Sequence, residues 1–139
     1  MNDLNVLFVD DEEDFLETLL KRMKKRDVNV GGVESGEKAL ELLESEPVDV
    51  IVLDVRMPGM DGIQTLREIK KRYPLVEVIM LTGHASLEVA IEGMELGAFD
   101  YLMKPVDIDE LLYKIQDAYK KKLIHLEKIR SMEVGNRGE

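Results

Sequence analysis

Asp10, Asp11, Glu12 and Glu13 form an unbroken acidic run, and three residues far from it in the chain have chemistry that complements it: Asp54, Thr82 and Lys104. Clustered carboxylates repel one another and resist ionisation unless a cation compensates. A hard divalent ion does so, and Mg²⁺ suits the set because it combines one or two carboxylates with waters and phosphate oxygens. Lys104 supplies a compact positive charge able to reach a phosphoryl oxygen or bridge to Asp54. Thr82 supplies a hydroxyl donor, and Gly83 leaves room for a donor molecule and exposes its backbone N–H. Positioning and charge neutralisation of this kind are what phosphoryl transfer asks for. A carboxylate is a competent nucleophile toward phosphorus, giving an aspartyl phosphate. Asp54 is the candidate nucleophile, with Asp10 and Asp11 to one side of it as metal holders.

These residues act together only if the fold gathers them, and the apolar pattern says how. Five short apolar runs, Leu4–Val9, Val28–Val33, Val48–Leu53, Val76–Leu81 and Ala98–Met103, alternate with segments of helical period. Phe15, Leu16, Leu19, Leu20 and Met23 recur at spacings of three and four, the inner face of an amphipathic helix. Ser35 can cap a second helix carrying Ala39, Leu40, Leu42 and Leu43. Turn chemistry at Gly59–Gly62 leads into a third with Ile63, Leu66 and Ile69, which Tyr73-Pro74 stops. A fourth spans about Ser86–Leu96 with Gly97 as its C-terminal cap. Asp107 and Glu110 make a capping box for the fifth.

Strands apolar throughout are buried on both faces, the mark of a parallel sheet covered by helices on each side. The expected fold is therefore α/β: a five-stranded doubly wound parallel sheet, (βα)5 and flavodoxin-like, in three α/β/α layers. Ligands on such sheets sit beyond the carboxyl ends of the strands. Asp10, Asp54, Thr82 and Lys104 all follow apolar runs, so they share that rim, with Asp54 at its middle.

A chain of 139 residues fits one core. Its formal net charge of −10 argues against direct nucleic-acid binding, which needs clustered Lys and Arg. The absence of cysteine excludes disulfides, thiolate metal sites and cysteine nucleophiles. The N-terminus has no secretory pattern, and no apolar run approaches the roughly 20 residues a membrane span takes. The expectation is a soluble cytoplasmic protein with no membrane partner.

Four motifs resemble the receiver domains of bacterial two-component response regulators: Val9-Asp10-Asp11-Glu12, Leu53-Asp54 through Met60-Asp61-Gly62, Leu81-Thr82-Gly83-His84 and Tyr101-Leu102-Met103-Lys104-Pro105. The likeness runs from about Asn5 to Leu123, as in stand-alone chemotaxis-type regulators, and Gly97 to Leu102 is similar to nitrogen-regulation-type receivers. It implies a receiver domain over 1–124, followed by a helical extension and disordered tail over 125–139. It implies that Asp54 accepts the phosphoryl group from the phosphohistidine of a sensor histidine kinase or phosphotransfer protein. Asp11 and Asp54 would ligate Mg²⁺ directly (Mn²⁺ could substitute), Asp10 mostly through water, with the Arg56 carbonyl as the remaining protein ligand. Lys104 would pair with the phosphate, and its bond to Pro105 would be cis. Thr82 and Tyr101 would be the switch pair, Arg56 and His84 would tune dephosphorylation, and the fourth helix, fifth strand and fifth helix would contact a downstream protein effector. Such a chain is a phosphoacceptor switch rather than an enzyme, either monomeric or dimerising on phosphorylation.

Plainer readings exist for several of these residues. The acidic run could be a solvated helix start. Gly93, costly inside a helix by about 1 kcal/mol relative to Ala, could be a packing glycine or the mark of a helix easily shifted. A phosphohydrolase of the haloacid-dehalogenase type would need a second Asp where Arg56 stands. A receiver fold used only as a scaffold would normally lose Asp11, Asp54 or Lys104, and all are present. The end of the fifth helix and the segment beyond Ile124, locally basic through Lys120–Lys122 and Lys128, read as a helix that outruns the domain and frays, as a short dimerising stub or as a linker to an output module.

Overall fold

The computed structural model describes residues 4–55, 61–83 and 86–137. The elements alternate without exception: β1 Asn5–Val9, α1 Glu13–Lys24, β2 Asn29–Val33, α2 Gly36–Leu43, β3 Val50–Leu53, α3 Gly62–Arg72, β4 Glu77–Thr82, α4 Leu87–Glu95, β5 Asp100–Met103 and α5 Ile108–Arg137. All strand pairings are parallel, in the order β2-β1-β3-β4-β5. This is the expected doubly wound, flavodoxin-like sheet, with β3 at its centre.

The pleat sends alternate side chains to opposite faces, so apolar strands build two cores. Val6, Phe8, Val50, Val52, Ile79 and Leu81 point to one side, where α1 and α5 add Leu16, Leu19, Leu111 and Ile115. Leu7, Val9, Ile51, Leu53, Val78 and Met80 point to the other, beneath Ala39, Leu40, Leu66 and Ile69 of α2 and α3. Burial on both faces holds for β1, β3 and β4. The edge strands β2 and β5 are only partly covered, because each has one neighbour.

Helix ends follow from local chemistry. Ser35 Oγ accepts from the N–H of Lys38, and Ser86 Oγ from that of Val89. Asp107 accepts from the N–H of Glu110, half of the expected capping box. A complete box, not anticipated, joins Asp61 and Gln64 at the start of α3. Gly97 adopts φ 105° after α4. Its N–H donates to Met94 and that of Ala98 to Gly93, the paired bonds of a Schellman cap.

One expectation is corrected at the C-terminus. The extension is expected to lose its helix from Glu133 into a disordered tail, whereas α5 runs on through Arg137. Extending a helix costs far less than nucleating one, and no proline interrupts this stretch. The basic segment also has a structural role. Lys121 lies 3.8 Å from buried Glu77, and Lys122 pairs with Asp49, which also accepts from the N–H of Asn5 at 2.9 Å. These contacts fasten α5 across the amino ends of β1, β3 and β4. Replacing Asp49 by alanine strands Lys122 and the Asn5 amide together. A loss of about 2 kcal/mol in urea denaturation is expected, and unchanged stability would show that this clamp contributes nothing.

Candidate functional site

The carboxyl ends of the strands deliver three residues to one point. The N–H of Asp10 donates to Val33, that of Asp54 to Val9, and that of Lys104 to Thr82. Each is the first residue beyond its strand, and each is still held by the neighbouring strand. The backbone of the rim is therefore tied to the sheet where the chemistry sits.

Lys104 is the hub. Its Nζ lies 2.8 Å from Asp10 Oδ2, 2.9 Å from Glu12 Oε1 and 3.7 Å from Asp54 Oδ2. Asp10 and Asp54 are buried, whereas Glu12 is exposed. Asp10 Oδ1 accepts from the N–H of Glu12, which closes the turn into α1. Burial raises the Asp10 pKa above the usual 3.8, even though hydrogen bonds from Lys104 and the Glu12 amide and the charge of Lys104 oppose it. Burial works against the Lys104 charge as well. Its hydrogen bonds to Asp10 and Glu12 and the charges of Asp10 and Asp54 outweigh that cost, and its pKa lies above the usual 10.5.

Among the described residues, Asp10, Glu12 and Asp54 each bring a carboxylate oxygen within 4.8 Å of the other two. An all-oxygen, hard-donor set with a buried carboxylate resisting ionisation fits a divalent cation such as Mg²⁺. Asp11 is exposed and does not belong to this cluster, where Glu12 takes the third place. Thr82 ends β4 and is wholly buried. Tyr101 is half-buried on β5, against the α2–α3 side of the core. Lys104–Pro105 is cis, as the resemblance implies. Arg56, the Gly59 turn and His84 lie outside the described residues.

Two contacts escape the sequence reading. Glu12 belongs to the acidic run, but nothing in its position shows that it meets Lys104. Phe15 reads as one more core residue of α1, yet its ring face lies beneath Lys104, with Nζ 4.2 Å from the centroid.

Fold and rim together define a doubly wound α/β domain with a carboxylate–ammonium site at the carboxyl end of its central strands. The chain belongs to the response regulator receiver domain family, which it matches over residues 6–116. It is 40% identical over 113 residues to the DNA-binding transcriptional regulator NtrC of Escherichia coli K12, covering 81% of this chain and 24% of that protein. A putative NtrX-like response regulator of Rickettsia bellii is 38% identical over 120 residues, covering 85% and 25%. The chain thus spans about a quarter of the length of these relatives. Among solved structures, a CheY-like receiver domain from Methanospirillum hungatei JF-1 superposes with a TM-score of 0.84 at 29% identity, covering 88% of this chain and 98% of that one. A receiver domain from Clostridium thermocellum gives 0.82 at 36%, covering 87% and 98%. No helix among the described residues is long and apolar enough to cross a membrane.

Proposed function

We propose that this chain is a cytoplasmic phosphorylation switch in which Asp54 takes a phosphoryl group from the phosphohistidine of a sensor histidine kinase or phosphotransfer protein. The observation that carries this reading is the Lys104 ammonium held 3.7 Å from the buried Asp54 carboxylate and 2.8 Å from Asp10, at the rim of the central strand. A carboxylate oxygen of Asp54 attacks phosphorus, and the P–N bond breaks with its electron pair left on the imidazole. Lys104 stays protonated, moves to a phosphoryl oxygen and neutralises its charge. The Thr82 hydroxyl donates to a second oxygen, and Tyr101 follows inward. Mg²⁺, when bound, supplies compensating positive charge for the carboxylates and the incoming phosphoryl oxygens, and Asp10, Asp11 and Asp54 would hold it, with Glu12 able to join them. The phosphoryl group stops on the protein's own side chain, so the product is a changed surface rather than a released molecule.

That surface is the α4–β5–α5 face, where a downstream protein effector would dock. Leu87, Ile91 and Met94 of α4, Met103 of β5 and Tyr113 of α5 are all exposed, Leu87 to 76%. The one buried residue of α4 is Gly93, where a Cβ would stand 2.1 Å from Met80 Cε. The glycine lets α4 lie directly on β4, and little else buries the helix. An element held so lightly is suited to a two-state shift.

The reading is tested by incubation with Mg²⁺ and acetyl phosphate, followed by intact-protein mass spectrometry. One phosphoryl adduct is expected on the wild type and none on Asp54→Asn. An equal adduct on both would place the acceptor elsewhere, and no adduct on either would favour a binding scaffold.

A further inference from the structure

The aromatic ring beneath Lys104 is not accounted for by the carboxylate chemistry. Phe15 stands in the first turn of α1 and is half-buried against the α1–α5 side of the core. Core packing alone would be satisfied by any large apolar side chain. A centroid distance of 4.2 Å instead puts the ring face in direct contact with an ammonium whose side chain is only 11% exposed. Cations within about 6 Å of a ring centroid are attracted by its quadrupole, most strongly where water is excluded.

The ammonium is therefore enclosed by groups of two kinds. Asp10 and Glu12 accept hydrogen bonds from it, and an ammonium has three donors. Those bonds are directional and must be loosened before Nζ can serve a phosphoryl oxygen on Asp54. The ring attracts the charge without offering an acceptor in a fixed direction. It can hold Nζ at the rim before and after that exchange, and it keeps water from one side of it throughout.

We propose that Phe15 is a positioning residue for phosphoryl transfer, acting through Lys104: its ring face holds the ammonium at the rim while Nζ exchanges Glu12 for a phosphoryl oxygen on Asp54. The proposal rests on Asp54 being the phosphoacceptor. With acetyl phosphate as donor, an Asp54 oxygen bonds to phosphorus as the P–O bond to acetate breaks. Acetate leaves with the electron pair, and neither a proton nor an oxidant is needed.

The test compares wild type, Phe15→Leu and Phe15→Tyr in single-turnover phosphorylation by acetyl phosphate at saturating Mg²⁺. The leucine variant is expected to lower the maximal rate constant about fivefold. The donor concentration at half-maximal rate and the Mg²⁺ affinity should both stay within twofold of wild type. Tyrosine, which keeps a ring face, should restore the rate to within twofold. In a Lys104→Met background, Phe15→Leu should have no further effect on the rate. If the leucine variant melts early, Phe15→Met preserves bulk and apolarity without a ring and takes its place. A maximal rate within twofold of wild type for the ring-less variant, an unrescued loss in Phe15→Tyr, or an equal loss with and without Lys104 would each overturn the proposal. Failure of the underlying reading looks different, because the wild type itself would then take up no phosphoryl group or Asp54→Asn would take up as much.

Discussion

Gly62→Ala should cost about 3 kcal/mol of stability in urea denaturation and slow phosphorylation of the remaining folded protein at least tenfold. A Cβ on Gly62 would stand 2.2 Å from Val55 Cα, 2.5 Å from the Asp54 carbonyl oxygen and 2.9 Å from the Val55 carbonyl carbon. Those are backbone atoms, so no side chain can rotate away to make room. The N–H of Gly62 also donates to Val55 at 3.1 Å, holding the start of α3 against the residue that follows the acceptor. Two relaxations exist, and both are costly. Moving α3 outward opens the packing of Thr65, Leu66 and Ile69, all fully buried. Moving the Asp54–Val55 backbone pulls Asp54 from its bond to Val9 and away from Lys104. Gly31→Ala is the internal control, since its Cβ would meet only Leu7 Cδ1 at 3.9 Å. It should change stability by no more than about 0.5 kcal/mol. Equal effects at the two glycines would show that the close approach at Gly62 is not what seats Asp54.

The contrast between those glycines shows where sequence reading stops. The apolar runs locate β1, β3 and β4 because burial on two faces demands unbroken hydrophobicity, and the partly covered edge strands β2 and β5 are legible from their shorter apolar stretches in the alternating pattern. Their ends shift by a residue or two because pairing, not hydrophobicity, decides where a strand begins. Val48 and Asp49 precede β3, for instance, and Thr82 joins β4 because the ladder continues opposite Met103. Asp10, Asp54 and Lys104 are legible for the same reason, since each directly follows a run and the carboxyl ends of parallel strands share a rim. What the pattern cannot supply is the rotation of α1 about its axis. The helix packs closely over Gly32, where a Cβ would lie 2.9 Å from Leu20 Cδ1 and 3.0 Å from Leu16 Cδ1. In that packing it is Glu12 and Phe15 that meet Lys104. Nor could the sequence pair Lys122 with Asp49, 73 residues earlier. A basic triplet on a helix looks solvated until the fold places two of its members over carboxylates.

Lys104→Met should have the second large effect, and its dependence on metal identifies the cause. Without Lys104, the Asp10, Glu12 and Asp54 carboxylates remain within 4.8 Å of one another with their shared cation gone. Two of them are buried, and removing one partner from buried charges leaves the others uncompensated. A loss of about 2 kcal/mol is expected in the absence of divalent cations. Because the folded state raises the Lys104 pKa, the stabilisation it gives is fully present below the usual lysine value of 10.5 and fades only as pH rises through the folded value. The gap between wild type and variant should therefore be constant across about pH 6 to 9 and narrow only in strong alkali. Mg²⁺ offers the carboxylates another source of positive charge, and a ligand that binds only the folded state stabilises it by mass action. Millimolar Mg²⁺ should then stabilise the methionine variant more than the wild type and close most of the gap. Phosphorylation should still fall by about two orders of magnitude, because the metal cannot replace the ammonium at the phosphoryl oxygen. Equal stabilisation of both proteins by Mg²⁺ would mean that Lys104 is not what offsets the carboxylate repulsion. A nearly normal phosphorylation rate in the variant would mean that the ammonium's place beside Asp54 is structural rather than chemical.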